Sequence, residues 1–181
     1  MPTRPAPDEF AAYYATYTSQ VGDGDIRDLI EQQRESTLVL LRAISEEASR
    51  HRYAADKWSI RQVLSHINDT ERVFTFRAFW FARGFASPMP GFDQDDGIRT
   101  ADADARTWAS HVAEFDAVRS ATIALFRSLP EAAWTRRGTA SDNPVSVQAL
   151  AYITAGHVAH HVKLLGERYG VKVEMVPLET R

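Results

Sequence analysis

An all-α, single-domain four-helix bundle is the fold this 181-residue sequence predicts, and three observations carry the prediction. Four segments of about 25 residues each place apolar side chains at helical spacing. Little period-two alternation lies between them, so no sheet is expected to form a second layer. A composition of 44% hydrophobic and 25% charged residues suits one globular unit that buries its own core.

The first helix is expected from about Asp25, an N-cap with Asp28 in the first turn, through Ile26, Leu29, Ile30, Leu38, Leu41 and Ile44. The second opens at Ser59, where Gln62 three residues on completes a capping box, and runs through Val63, Leu64, Ile67, Val73, Phe74 and Phe81 until Gly84. The third is expected from about Ala101 through Trp108, Val112, Phe115, Val118, Ile123 and Phe126, with Pro130 as its stop. The fourth starts near Ser146, continues through Val147, Leu150, Ile153, Val158, Leu164 and Leu165, and ends at Gly170 as a C-cap. Residues 1–24, with Phe10, Tyr13, Tyr14 and Tyr17, form a strap on the bundle, residues 25–169 the bundle itself, and residues 170–181 a tail. The stretches 84–100 and 130–145 are long and rich in Pro, Gly and Asp, which permits a crossover connection.

The formal net charge of -3 offers no general attraction to polyphosphate, so no nucleic-acid partner is expected. The first residues lack the apolar run of a signal peptide, and no run approaches the roughly 18 apolar residues that a membrane span needs. A cytoplasmic protein with no membrane partner is the expectation, and the absence of cysteine agrees with it.

Three histidines hold the chemistry. His157 and His161 stand four residues apart in a helical segment, so their side chains share a face about 5–6 Å apart. With Val147, Leu150, Thr154, Val158 and Leu165 they form one stripe turned into the bundle, where a neutral imidazole without partners would leave a donor and an acceptor unused. His160 falls off that stripe, toward a supporting or solvent position. His66 lies about 10 Å into the second helix and His161 about 13 Å before the end of the fourth, so antiparallel neighbours would bring all three to one level. Three imidazoles leave a position open for water or substrate, as in catalytic metal sites, and without cysteine the site suits zinc, nickel, cobalt or iron. His51 and His111 have no such arrangement and are expected at the surface or in packing, and Trp58, Trp80, Trp108 and Trp134 in core or rim packing.

The run Lys57-Trp58-Ser59-Ile60-Arg61-Gln62-Val63-Leu64-Ser65-His66-Ile67-Asn68-Asp69-Thr70-Glu71-Arg72, then Arg77, Ala82-Arg83-Gly84, Pro90-Gly91-Phe92-Asp93 and Gly156-His157-Val158-Ala159-His160-His161, resembles the DinB-like (YfiT-like) proteins over nearly everything from Tyr17 to Tyr169. The family's histidine on the second helix and its His-x-x-x-His pair on the fourth fall on His66, His157 and His161. The resemblance implies an up-down-down-up bundle with a long crossover between helices two and three, one divalent metal on those histidines, and a homodimer. Family activities include bacillithiol and mycothiol S-transferases and a mycothiol-dependent maleylpyruvate isomerase, with many members described only as metal-dependent hydrolases.

The favoured expectation is a metal-dependent transferase that activates a low-molecular-weight thiol cosubstrate toward a small-molecule substrate, with zinc or nickel as the metal. A hydrolase of a small amide or ester, or a non-enzymatic metal-binding stress-response protein, would carry the same constellation. Asp69, three residues after His66, is the candidate supporting carboxylate or base; Glu71 points further round the helix, and pairing with Arg72, Arg77 or Arg83 is the competing role for both. Arg77 and Arg83 are candidates for the thiol's carboxylates, with surface solvation as the alternative. The stretch 84–100, with Met89, Phe92, Asp93, Asp95 and Asp96, would border the pocket or remain a solvated loop.

Overall fold

The computed structural model describes residues 2–172. The expected tail therefore lies, from residue 173 on, outside the described residues. Two 3-10 turns, Pro7–Glu9 and Ala12–Tyr14, lead into α1 (Ala15–Thr18), which is the expected strap. The bundle is built from α2 (Ile26–Ala43), α3 (Ile60–Ala82), α5 (Trp108–Ser128) and α6 (Val147–Tyr169), with α4 (Gln94–Thr100) in the connection between α3 and α5.

Most helix ends follow the sequence signals. Asp25 caps α2 by accepting from the Arg27 amide at 2.9 Å. Ser59 and Gln62 form the reciprocal capping box of α3, at 3.1 and 3.0 Å. Ser146 caps α6, which ends at Gly170 in the left-handed region at φ 68°.

Three stretches differ from the sequence reading. The third bundle helix begins at Trp108, not at residue 101: Asp102 adopts φ 47°, outside helical space, and Thr107 then caps α5 by accepting from the Ser110 amide. The stretch 84–100 is no plain loop, because Asp93 accepts from the amides of Asp95 and Asp96 and so starts α4. The stretch 130–145 likewise holds most of an antiparallel hairpin, β1 (Arg137–Ala140) and β2 (Asn143–Ser146), each too short to display alternation.

Contacts along the bundle set its topology. α3 and α6 are antiparallel, since the Tyr169 hydroxyl at the end of α6 donates to the Trp58 carbonyl just before α3 (2.8 Å) and Phe74, farther along α3, meets His157. α3 and α5 are parallel: Arg61 donates to the Arg106 carbonyl before α5, and the Thr122 hydroxyl farther along donates to Glu71. α2 runs against α5, with the Trp108 indole on the Leu41 carbonyl at one end and Arg127 on Asp28 at the other. The order is up-down-down-up. Two consecutive parallel helices require the chain to climb back about 34 Å between them, which residues 83–107 accomplish through α4.

The apolar interior divides in two. One cluster joins Phe74, Ala78, Phe81, Phe126, Leu150 and Ile153 near the hairpin, and the other joins Leu41, Ile60, Leu64, Trp108, Phe115 and Leu165 at the opposite end. Between them lie buried polar side chains: His66, Asn68, Glu71, Arg119, Thr122, Thr154, His157 and His161. Among the described residues, no helix is long and apolar enough to cross a membrane.

Candidate metal centre

The antiparallel pairing of α3 and α6 brings His66, His157 and His161 to one level of the bundle, all three buried. Their ligand-capable nitrogens lie within 4.8 Å of one another, and among the described residues this is the one such group of three. His157 Nε2 is 3.0 Å from His66 Nε2 and 3.1 Å from His161 Nε2. A ring nitrogen carries either one hydrogen or one lone pair, so His157 Nε2 can fully satisfy one of these neighbours but not both. A cation shared by three lone pairs removes the conflict. Imidazoles on a tetrahedral Zn²⁺ at about 2.0–2.1 Å stand about 3.3 Å apart, a few tenths of an ångström wider than the spacing seen, so the donor set fits such an ion.

The surroundings favour neutral rings, the form that binds metal. Burial, assisted by His160 nearby, pushes the pKa of His66 down to about 4. Burial holds His157 and His161 well below the ordinary histidine value, and the adjacent imidazoles add to it. Thr70 Oγ1 lies 3.2 Å from His66 Nδ1 and accepts its proton when Nε2 keeps the lone pair. Trp58 packs on the same ring at 5.1 Å between centroids. On the other side, Tyr17 of the strap stands edge-on to His157 at 5.3 Å. It can come so close because residue 156 is glycine: a Cβ there would sit 2.1 Å from the Tyr17 carbonyl oxygen.

A cavity of about 150 Å³ opens on His66 and His157. The strap contributes Tyr13, Tyr14 and Tyr17, whose hydroxyls at 13 and 17 are 3.0 Å apart. α3 contributes Thr70, Val73, Phe74 and Arg77, and the far wall is Phe92, Gln94 and Ser141 of the hairpin turn. No carboxylate is among the lining residues.

Of the other predicted residues, the structure brings Arg77 to the cavity and leaves Asp69 and Arg83 elsewhere. Asp69 pairs with Arg72 at 3.2 Å, and Thr70 takes the place beside His66 expected for it. Arg83 is exposed at the end of α3, over the Phe79 ring. Glu71 meets none of the arginines expected for it except through distant charge; it is buried against Arg119, 2.9 Å away, with Thr122 donating to it at 2.6 Å. Burial raises the Glu71 carboxyl and lowers the Arg119 guanidinium, and their attraction opposes both shifts. Of the two histidines expected at the surface or in packing, His111 is fully buried, its Nε2 2.8 Å from the Ala103 carbonyl, and His51 is exposed. Sequence reasoning missed Thr70 and Ser141. The first was legible as the i+4 neighbour of His66; the second depends on the hairpin.

A family profile described as the DinB superfamily matches residues 29–165. YfiT from Bacillus subtilis, described as a probable metal-dependent hydrolase with an unusual four-helix bundle topology, superposes with a TM-score of 0.67 at 16% identity, over 81% of this chain and 87% of that one. A mycothiol-dependent maleylpyruvate isomerase gives a TM-score of 0.64 at 12% identity, over 75% of this chain and 57% of that one. At these identities the likeness is one of fold. Comparison with curated protein sequences gives no match.

Proposed function

Because the chain belongs to the DinB superfamily, we propose that it holds one divalent transition metal, zinc or nickel, on His66, His157 and His161 and transfers a low-molecular-weight thiol to a small electrophile. The observation that carries this reading is the cavity that opens on His66 and His157, since a purely structural or storage site needs no such opening. When bound, the ion lowers the pKa of a coordinated thiol or water and so supplies a nucleophile at neutral pH. Thr70 holds the His66 ring by accepting from Nδ1, Trp58 and Tyr17 pack the imidazoles and exclude water, and the strap tyrosines face the reactants. Thiol transfer is favoured over hydrolysis because no carboxylate lines the cavity to deprotonate a water or shuttle its proton, whereas a thiol, with an ordinary pKa near 8.5, needs little help. Hydrolysis of a small amide or ester is the second reading, supported by the description of YfiT.

Elemental analysis of protein purified without an affinity tag tests the centre. We expect about one zinc or nickel per chain, lost in His157→Ala/His161→Ala with the helical circular dichroism retained. Wild-type protein that neither contains nor takes up metal, or a double variant that keeps it at full occupancy, would remove the basis for this function.

A further inference from the structure

Arg77 is 4% exposed, yet among the described residues no carboxylate lies within ion-pair distance of it. Its Nη2 donates to the Pro90 carbonyl at 2.6 Å and to Ser141 Oγ at 3.1 Å, both neutral acceptors. A largely buried guanidinium held only by neutral acceptors leaves its charge uncompensated toward the cavity, and its planar fork presents five N–H donors suited to bidentate carboxylate contact. The side chain also lines the cavity that reaches the histidines.

The acceptor that holds it is placed at a cost. Ser141 and Asp142 form the two-residue turn between β1 and β2 with φ of 51° and 61°, the left-handed region that asparagine and glycine usually fill. Hydrogen bonds from the Ser141 amide to the Met89 carbonyl and from the Met89 amide to the Thr139 carbonyl tie that turn to the wall of the cavity. Backbone strain retained at a pocket wall, with its hydroxyl on a buried cation, marks a positioning device.

We infer that Arg77, held by Ser141 and the Pro90 carbonyl, is the anion-recognition subsite of this cavity, and that the substrate beside the histidines is a small molecule with one carboxylate on an apolar body. The inference rests on the reading of the cavity as the substrate site. One guanidinium, with no lysine and no other arginine on the lining, matches a single carboxylate, and Tyr14, Phe74 and Phe92 match an apolar body. A cavity of about 150 Å³ matches a body of one ring or a short chain. Arg77 follows His66 by eleven residues, about 16 Å of helix rise, so a carboxylate on its guanidinium stands apart from the reacting end rather than on it.

Calorimetric titration of the zinc-loaded protein with acetate, butyrate and benzoate, each against its neutral amide, tests the subsite. Wild type should prefer butyrate or benzoate over the matching amide at least tenfold. Arg77→Gln should abolish that preference at unchanged metal content, Arg77→Lys should keep part of it, and Ser141→Ala should weaken it severalfold. Should Arg77→Gln fail to fold, the Arg77→Lys and Ser141→Ala titrations decide alone. Equal binding of every acid and amide, or a preference untouched by all three variants, overturns the inference. So does a preference that survives Arg77→Gln but disappears in His157→Ala/His161→Ala, since the carboxylate would then sit on the metal. A carboxylate preference in wild-type protein that takes up no metal would support the subsite while removing the metal reading.

Discussion

Thr70 shows how a single side chain can matter more than the charged residue beside it. It stands one helical turn after His66, close enough for its hydroxyl to accept from Nδ1, whereas Asp69 turns to Arg72 at the surface. Removing the acceptor leaves the His66 tautomer and ring orientation less fixed, and loss of such a partner typically lowers metal affinity 10–100-fold. Thr70→Val, which keeps the side-chain shape, is therefore expected to weaken zinc binding by about that factor in competition with a chromogenic chelator, with unchanged helicity; equal affinity would show that packing alone orients the ring. The histidine positions themselves were legible, because helical spacing alone puts His157 and His161 on one face. The acceptor choice was not, because a carboxylate at i+3 and a hydroxyl at i+4 both lie near that face, and only the arginines around them decide which one turns inward.

At the scale of elements, the strap and α6 meet where Gly156 lets the Tyr17 backbone touch the helix. Alanine is the better helix former by about 1 kcal/mol, so Gly156→Ala would stabilise an isolated helix. Here its Cβ meets backbone that cannot rotate away. We expect the substitution to lower the stability to urea unfolding by about 1–3 kcal/mol and to displace Tyr17 from His157, seen as increased exposure of the strap to limited proteolysis; a gain in stability would show that the strap is not seated as described. Gly138 plays the corresponding part at the hairpin, where a Cβ would fall 2.0 Å from the Phe81 ring. The hairpin and α4 escaped the sequence reading because strands of four residues and a helix of seven are too short to display periodicity. Their capping and turn residues could equally have belonged to loops.

Across the whole molecule, a polar layer between two apolar clusters contains both the histidine centre and the Glu71–Arg119 pair. Arg119 is fully buried, near Glu71 and over the Phe115 ring, yet none of its side-chain N–H groups is aimed along a hydrogen bond. The contact is thus one of charge with charge, and removing one partner leaves the other uncompensated in the core. Arg119→Met is expected to cost about 3–5 kcal/mol in urea unfolding, and Glu71→Leu/Arg119→Met to recover most of it, because an apolar pair avoids the desolvation of two ions. Additive losses in the double variant would contradict this account of the pair. The sequence by itself determined the helices, most of their caps and which histidines share a face, since these follow from spacing and chemistry within about a turn of chain. Only the tertiary structure decided that Glu71 meets Arg119, that Ser141 reaches Arg77 and that Arg83 faces away. The two contacts join residues 48 and 64 positions apart, and their existence depends on helix order and on the path of the crossover, which local periodicity does not encode.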